Sequence, residues 1–128
     1  MINGISHITF IVTDIERTAV FWERIFDAKT VYSSLTAKYL QVNDLWIALN
    51  KGDRLSGRTY NHIAFSIQDS DFDEYVKRIK DVGAELFRGR SRLDDEGRSI
   101  YFYDYDNHLF ELHAGTLSKR LVYYSNDK

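Results

Sequence analysis

Three side chains in this sequence have the types and the setting to hold a divalent metal ion: His7, His62 and Glu111. Each sits inside an apolar, strand-like run, "SHITFIVTD" (6–14), "NHIAFSIQD" (61–69) and "NHLFELHAG" (107–115). Imidazole together with carboxylate suits manganese, iron, zinc or nickel, and three protein ligands leave positions open for water or substrate. A carboxylate buried alone costs roughly several kcal/mol, which a cation offsets. Other readings stand beside this one. A strand histidine taken alone is more often a hydrogen-bonded core or surface residue. Glu111 can instead pair with Arg98 or Arg120, and His108 and His113 compete as ligands.

The elements that must position these groups follow from periodicity. The first run stops at Thr13-Asp14, a helix cap, and Ile15, Ala19, Trp22 and Ile25-Phe26 then recur at helical spacing, predicting a helix over 15–27. Strands are predicted at about 29–33, 37–42 and 45–49. The chain then starts again. His, Ile, Phe and Asp of the first run return in the same four places 55 residues later. A second helix is predicted over 72–85, with Phe72, Val76, Ile79 and Val82 as its stripe, followed by strands at about 85–88, 98–103 and 108–113. The pattern is β-α-β-β-β, present twice, which makes the chain α+β: a single domain, 1–128, built of modules at about 1–52 and 57–122.

Residues two apart in a strand share a face. His7 therefore lies with Ile5, Thr9 and Ile11; His62 with Tyr60, Ala64 and Ser66; Glu111 with Leu109 and His113; Ser99 with Tyr101 and Tyr103. The opposite faces (Ile8, Phe10 and Val12; Ile63, Phe65 and Ile67; Phe110 and Leu112; Ile100 and Phe102) are apolar and must pack under the helices. What remains is a curved sheet whose concave side carries imidazoles, a carboxylate and hydroxyls.

Composition narrows the classes. The 128 residues suffice for a real core, and hydrophobics at 44% with aromatics at 15% describe a globular chain. A formal net charge of −2 offers no broad basic field for nucleic acid. The absence of cysteine excludes disulfides, thiolate ligands and a cysteine nucleophile. No apolar run approaches the roughly 20 residues of a spanning helix, and no signal-peptide pattern follows Met1, so a soluble cytoplasmic protein without a membrane partner is expected.

His7, His62 and Glu111, on the first strand of each repeat and the last strand of the second, resemble the metal triad of the vicinal-oxygen-chelate superfamily (the glyoxalase/bleomycin-resistance/dioxygenase fold, two βαβββ modules forming cupped mixed sheets). Within it the chain resembles the fosfomycin-resistance enzymes over nearly its full length. "MINGISHITF", "YLQVNDLWIALN" (39–50), "RTYNHIAF" (58–65), "GRSIYFYDYDNHLFELHAGTL" (97–117) and "KRL" (119–121) carry the likeness. The resemblance implies opening of the epoxide of the phosphonate antibiotic fosfomycin with Mn²⁺ as usual metal, Zn²⁺, Ni²⁺ or Co²⁺ being alternatives. It also implies a homodimer whose metal site is built across paired modules of two subunits. It assigns Thr9 as donor to the nascent alkoxide, Ser99, Tyr101, Arg120 and the loop residue Arg92 to the phosphonate, and Tyr39, Trp46 and Tyr60 to the substrate surroundings. Glu96-Gly97 in "LDDEG" (93–97) resembles a K⁺-binding segment of the thiol-transferase branch, but its neighbours differ, which tells against K⁺ here.

The branches of that family differ in what attacks: glutathione, bacillithiol or another small thiol such as cysteine, or water. The body and tail of the chain resemble the water-using branch, which carries a general-base glutamate in a longer segment before the tryptophan strand. "SSLTAKYLQVNDLW" (33–46) is shorter and has no glutamate, resembling the transferase branches; Asp44 falls in a turn. A thiol is therefore the expected nucleophile and water the alternative. A drug-sequestering protein of the same fold is the non-enzyme alternative, against which the triad speaks.

Overall fold

The computed structural model describes residues 1–87 and 97–126. It divides into two units, Met1–Arg58 with Asp104–His108, and Thr59–Tyr103 with Leu109–Lys128. Each is a βαβββ module with one four-stranded mixed sheet, as the repeat predicts.

In the first unit, β1 (His7–Val12) leads into α1 (Ile15–Phe26), and β2 (Lys29–Ser33), β3 (Ala37–Val42) and β4 (Leu45–Lys51) complete the sheet. The strand order is β1-β4-β3-β2, with β1 parallel to β4 and the other pairs antiparallel. Asp14 caps α1 by accepting from the Arg17 backbone N–H at 3.0 Å. The predicted stripe is what α1 buries: Ile15, Ala19, Trp22, Ile25 and Phe26, with Phe21 added, against Phe10, Val12, Leu40, Ile47 and Leu49. Lys38 is a polar exception on this inner face. Its stem is buried while its Nζ reaches Glu16 Oε2 at 2.9 Å, keeping the charge at the edge.

The second unit repeats this with β5 (His62–Ser66), a 3₁₀ turn at Asp69–Asp71, α2 (Phe72–Asp81), β6 (Leu86–Phe87), β7 (Arg98–Tyr103) and β8 (Leu109–Ala114), in the order β5-β8-β7-β6. Phe72 and Ile79 of α2 are fully covered with Ile100, Phe102, Phe110 and Leu112. The helix ends at Asp81, four residues before the predicted end. Gly83 adopts φ +80, and the Ala84 N–H returns to the Ile79 carbonyl at 3.2 Å, closing a left-handed cap. A third helix, α3 (Leu117–Asn126), was not foreseen; Thr116 starts it, its hydroxyl accepting from the Lys119 N–H at 3.1 Å. No described helix is long and apolar enough to cross a membrane.

The turn 104–108, between β7 and β8, belongs with the first unit. Asp106 accepts from both the backbone N–H and the hydroxyl of Thr13, at 3.2 and 2.8 Å, while Asp104 accepts from His108 Nδ1 at 2.8 Å.

Gly97, at the entry to β7, has φ +91, and a Cβ there would lie 2.5 Å from the Ala114 carbonyl oxygen. Gly97→Ala thus combines backbone strain with a clash against a strand that carries the site described below. It should lower stability by about 1–3 kcal/mol in urea denaturation, read as a lower midpoint at unchanged slope.

Candidate metal centre

Register decides which side chains meet. In the second unit, β7 and β8 pair Ser99 with His113 and Tyr101 with Glu111, while β5 and β8 pair Ala64 with Glu111. These pairs bring Ser99, Tyr101, Glu111 and His113 together with His62 on one face, as the alternation predicts. Glu111 is only 5% exposed.

The Glu111 carboxylate is well supplied with donors. Ser99 Oγ donates to its Oε2 at 2.5 Å, and the Tyr101 hydroxyl also donates to it. Tyr60 and Tyr101 hydroxyls lie 2.9 Å apart, so Tyr60 is the donor in that pair. Burial pushes the Glu111 carboxyl up, but the Ser99 and Tyr101 hydroxyls, with His62 and His113 beside it, outweigh burial and hold it below the usual carboxylate range. The group is ionised at neutral pH.

His62 meets this charge edge-on. Its Nδ1 lies 2.7 Å from the Tyr60 backbone carbonyl, which can only accept, so Nδ1 carries a hydrogen. Its Nε2 is 3.0 Å from Glu111 Oε1. In the neutral ring, two lone-pair atoms then face each other at that distance, an arrangement satisfied only by a positive species, a proton or a metal ion. Two ligand atoms each about 2.1 Å from one ion and at right angles around it are about 3.0 Å apart. The donor set therefore fits a divalent metal, and the backbone carbonyl behind the imidazole is the usual outer support of a ligand histidine. Beside the pair lies a cavity of about 300 Å³ lined by His62, Glu111, His113, Leu117 and Arg120 among others.

In the first unit, His7 is exposed on the open face of its sheet. Its ring stacks on Trp46 with centroids 4.1 Å apart, and its Nδ1 lies 3.0 Å from Ser6 Oγ. Tyr39 meets Trp46 edge-on at 5.2 Å, and Thr9 lies on the same face, paired with Ala48. Asp44 follows Asn43, whose φ is +53, in the two-residue turn between β3 and β4. Among the described residues no group of three or more His, Cys, Asp and Glu side chains is placed to hold one ion.

Two competing readings are resolved. Arg98 is not the partner of Glu111: it pairs with Asp69 at 2.8 Å and lies over the Phe72 ring at 4.1 Å, on the other side of β7 from Ser99. His108 is held by Asp104 and packs edge-on against Phe10 at 5.0 Å in the first unit. Arg92 and Glu96 lie outside the described residues. Of the cavity residues on α3, Arg120 was expected from the resemblance, but the helix that carries it escaped sequence reading, Thr116 being its one capping signal.

The chain belongs to the Glyoxalase/Bleomycin resistance protein/Dioxygenase superfamily, whose model matches residues 4–112. Within it, the chain is 54% identical to the fosfomycin resistance protein FosX of Listeria innocua, covering 97% of this chain and 98% of that one. It is 50% identical to FosX of Mesorhizobium japonicum (95% and 93% covered) and 39% identical to the metallothiol transferase FosB of Bacillus licheniformis (99% and 85%). A crystal structure of a glutamate-to-glutamine variant of FosX from Listeria monocytogenes, complexed with Mn(II) and 1S,2S-dihydroxypropylphosphonic acid, matches with a TM-score of 0.91 at 55% identity, covering 97% and 99% of the two chains.

The weight carried by the donors to Glu111 can be measured. Tyr101→Phe removes a hydroxyl aimed at a buried charge and should cost about 1–3 kcal/mol in urea melts of metal-free protein. Tyr60→Phe, at an exposed residue, should cost under about 0.5 kcal/mol in the same melts.

Proposed function

We propose that this protein inactivates fosfomycin by opening its epoxide at a divalent metal centre. The single observation that carries the reading is the His62 Nε2 to Glu111 Oε1 approach of 3.0 Å with the outer nitrogen of His62 tied to a backbone carbonyl. The FosX and FosB relatives supply the substrate and reaction class, and the Mn(II) in the FosX complex favours manganese. His7 is assigned as the third ligand, brought by a second copy in a homodimer. The face that carries His7 supports this, since its large apolar residues Ile5, Ile11 and Trp46 are themselves 75%, 41% and 37% exposed.

In this reading His62 and Glu111, with His7, would hold a divalent ion that would supply Lewis acidity at the epoxide oxygen. Thr9 donates to the oxygen as the ring C–O bond breaks and negative charge develops there. Arg120, in the cavity wall beside Glu111, takes the phosphonate charge. The Ser99 and Tyr101 hydroxyls are buried and turned to Glu111, which competes with a phosphonate for their protons. Tyr39 and Trp46 cover the apolar side of the substrate, and Tyr60 its rim.

The nucleophile is assigned as a small thiol: glutathione, bacillithiol or cysteine. Register supports this. The face shared by His7, Thr9, Ile11, Ala37, Tyr39, Gln41, Trp46, Ala48 and Asn50 carries no carboxylate, and Asp44 sits in the turn. Water without a general base forgoes about 10²–10⁴ in rate, whereas a thiol attacks the epoxide carbon through its own thiolate fraction. A specific observation favours water as second reading: FosX relatives stand at 50–54% identity, and one was captured with a vicinal diol.

Glu111→Gln should abolish metal retention, by elemental analysis, and turnover together; retained metal would overturn the centre. Phosphorus NMR of fosfomycin incubated with protein and Mn²⁺, with and without millimolar thiol, decides the nucleophile. A thiol adduct forming faster than diol is expected; diol forming at least as fast would establish the hydrolytic reading.

A further inference from the structure

We infer that His113 is a positioning residue that, acting through Ser99, fixes which oxygen of Glu111 faces the metal position. The inference rests on the metal-binding reading above. Its basis is a count of hydrogens. Ser99 Oγ has one proton and two close partners, Glu111 Oε2 at 2.5 Å and His113 Nδ1 at 2.6 Å. The ionised carboxylate can only accept, so the serine proton goes to Glu111. His113 Nδ1 must then carry a hydrogen and donate it to Ser99 Oγ. The polarity of the chain is fixed: His113 to Ser99 to Glu111 Oε2.

The distances exclude a shorter route. His113 Nδ1 is 3.6 Å from Glu111 Oε2, beyond a hydrogen bond, so its hold on the carboxylate passes through the serine. Its Nδ1 hydrogen also removes that nitrogen from the candidate ligands. With Oε2 anchored from behind, Oε1 is the oxygen left facing His62 Nε2 at 3.0 Å. The relay further decides the competition for the Ser99 proton. While His113 donates, the serine has no reason to turn away from Glu111; without it, the hydroxyl can rotate and the carboxylate loses its outer anchor. Outer partners of this kind are worth about 10–100-fold in metal affinity.

The test is Mn²⁺ titration followed by electron paramagnetic resonance on the assembled protein and four variants, with circular dichroism to check folding. His113→Phe should raise the Mn²⁺ Kd by about 10- to 100-fold, and Ser99→Ala comparably. His113→Asn, whose amide N–H can replace Nδ1–H, should bind within about threefold of the unaltered protein. Because both groups act along one chain, the double variant should bind no more weakly than Ser99→Ala alone. Equal affinity in His113→Phe, an Asn variant as weak as Phe, or additive losses in the double variant would overturn the relay. If the Phe variant does not fold, the contrast between Ser99→Ala and His113→Asn decides in its place. Failure of the unaltered protein to bind Mn²⁺ would instead overturn the metal centre on which the relay rests.

Discussion

A negative charge placed inside an apolar strand is the constraint to which the second sheet is organised. Glu111 can stay ionised at 5% exposure only if its oxygens are met from every side. The register supplies this without distortion: Tyr101 stands directly opposite on β7, Ser99 two pairs further along, and His62 comes from the parallel neighbour. A slip of one residue on β7 would put Ile100 and Phe102 beside the carboxylate and leave the charge unanswered. The apolar set on the other face enforces the same register, so burial of Phe102, Phe110 and Leu112 and solvation of Glu111 are one structural decision.

The two repeats have taken the same frame in different directions. Both place a histidine at the start of the strand that pairs in parallel with the last strand of its unit. In the first unit that histidine lies open, stacked on Trp46, with Tyr39 beyond it and no acidic side chain on the face. In the second it is half-covered and faces a carboxylate. One sheet thus offers rings and exposed area, the other charge and oriented hydroxyls.

Much of this was legible because strands and helices carry strict periods. The faces of His7, His62, Ser99 and Glu111 followed from alternation, and the buried stripe of α1 from helical spacing. The competition between Arg98 and Arg120 could have been settled the same way, since Arg98 adjoins Ser99 and must point to the other side of β7. What the sequence did not reveal depended on partners far along the chain or on the direction of a proton. The turn at Asp104–His108 finds its role through residues far away in the chain, Thr13, Phe10 and Leu55. The end of α2 turns on Gly83, which helical spacing ignores. α3 begins at a plain capping threonine, but its apolar residues Leu117, Leu121 and Val122 remain exposed, so no core stripe announced it. The Ser99 hydroxyl reads as an anion donor until its neighbours' hydrogens are counted.

The outer nitrogen of the His62 imidazole is tied to the carbonyl oxygen of residue 60, a main-chain atom. Every amino acid supplies that oxygen. That hydrogen bond therefore survives any substitution at position 60, whereas the edge-on contact of the Tyr60 ring with the imidazole at 4.8 Å does not. A change of side chain at residue 60 can thus alter what surrounds the imidazole while the nitrogen that carries its hydrogen stays the same.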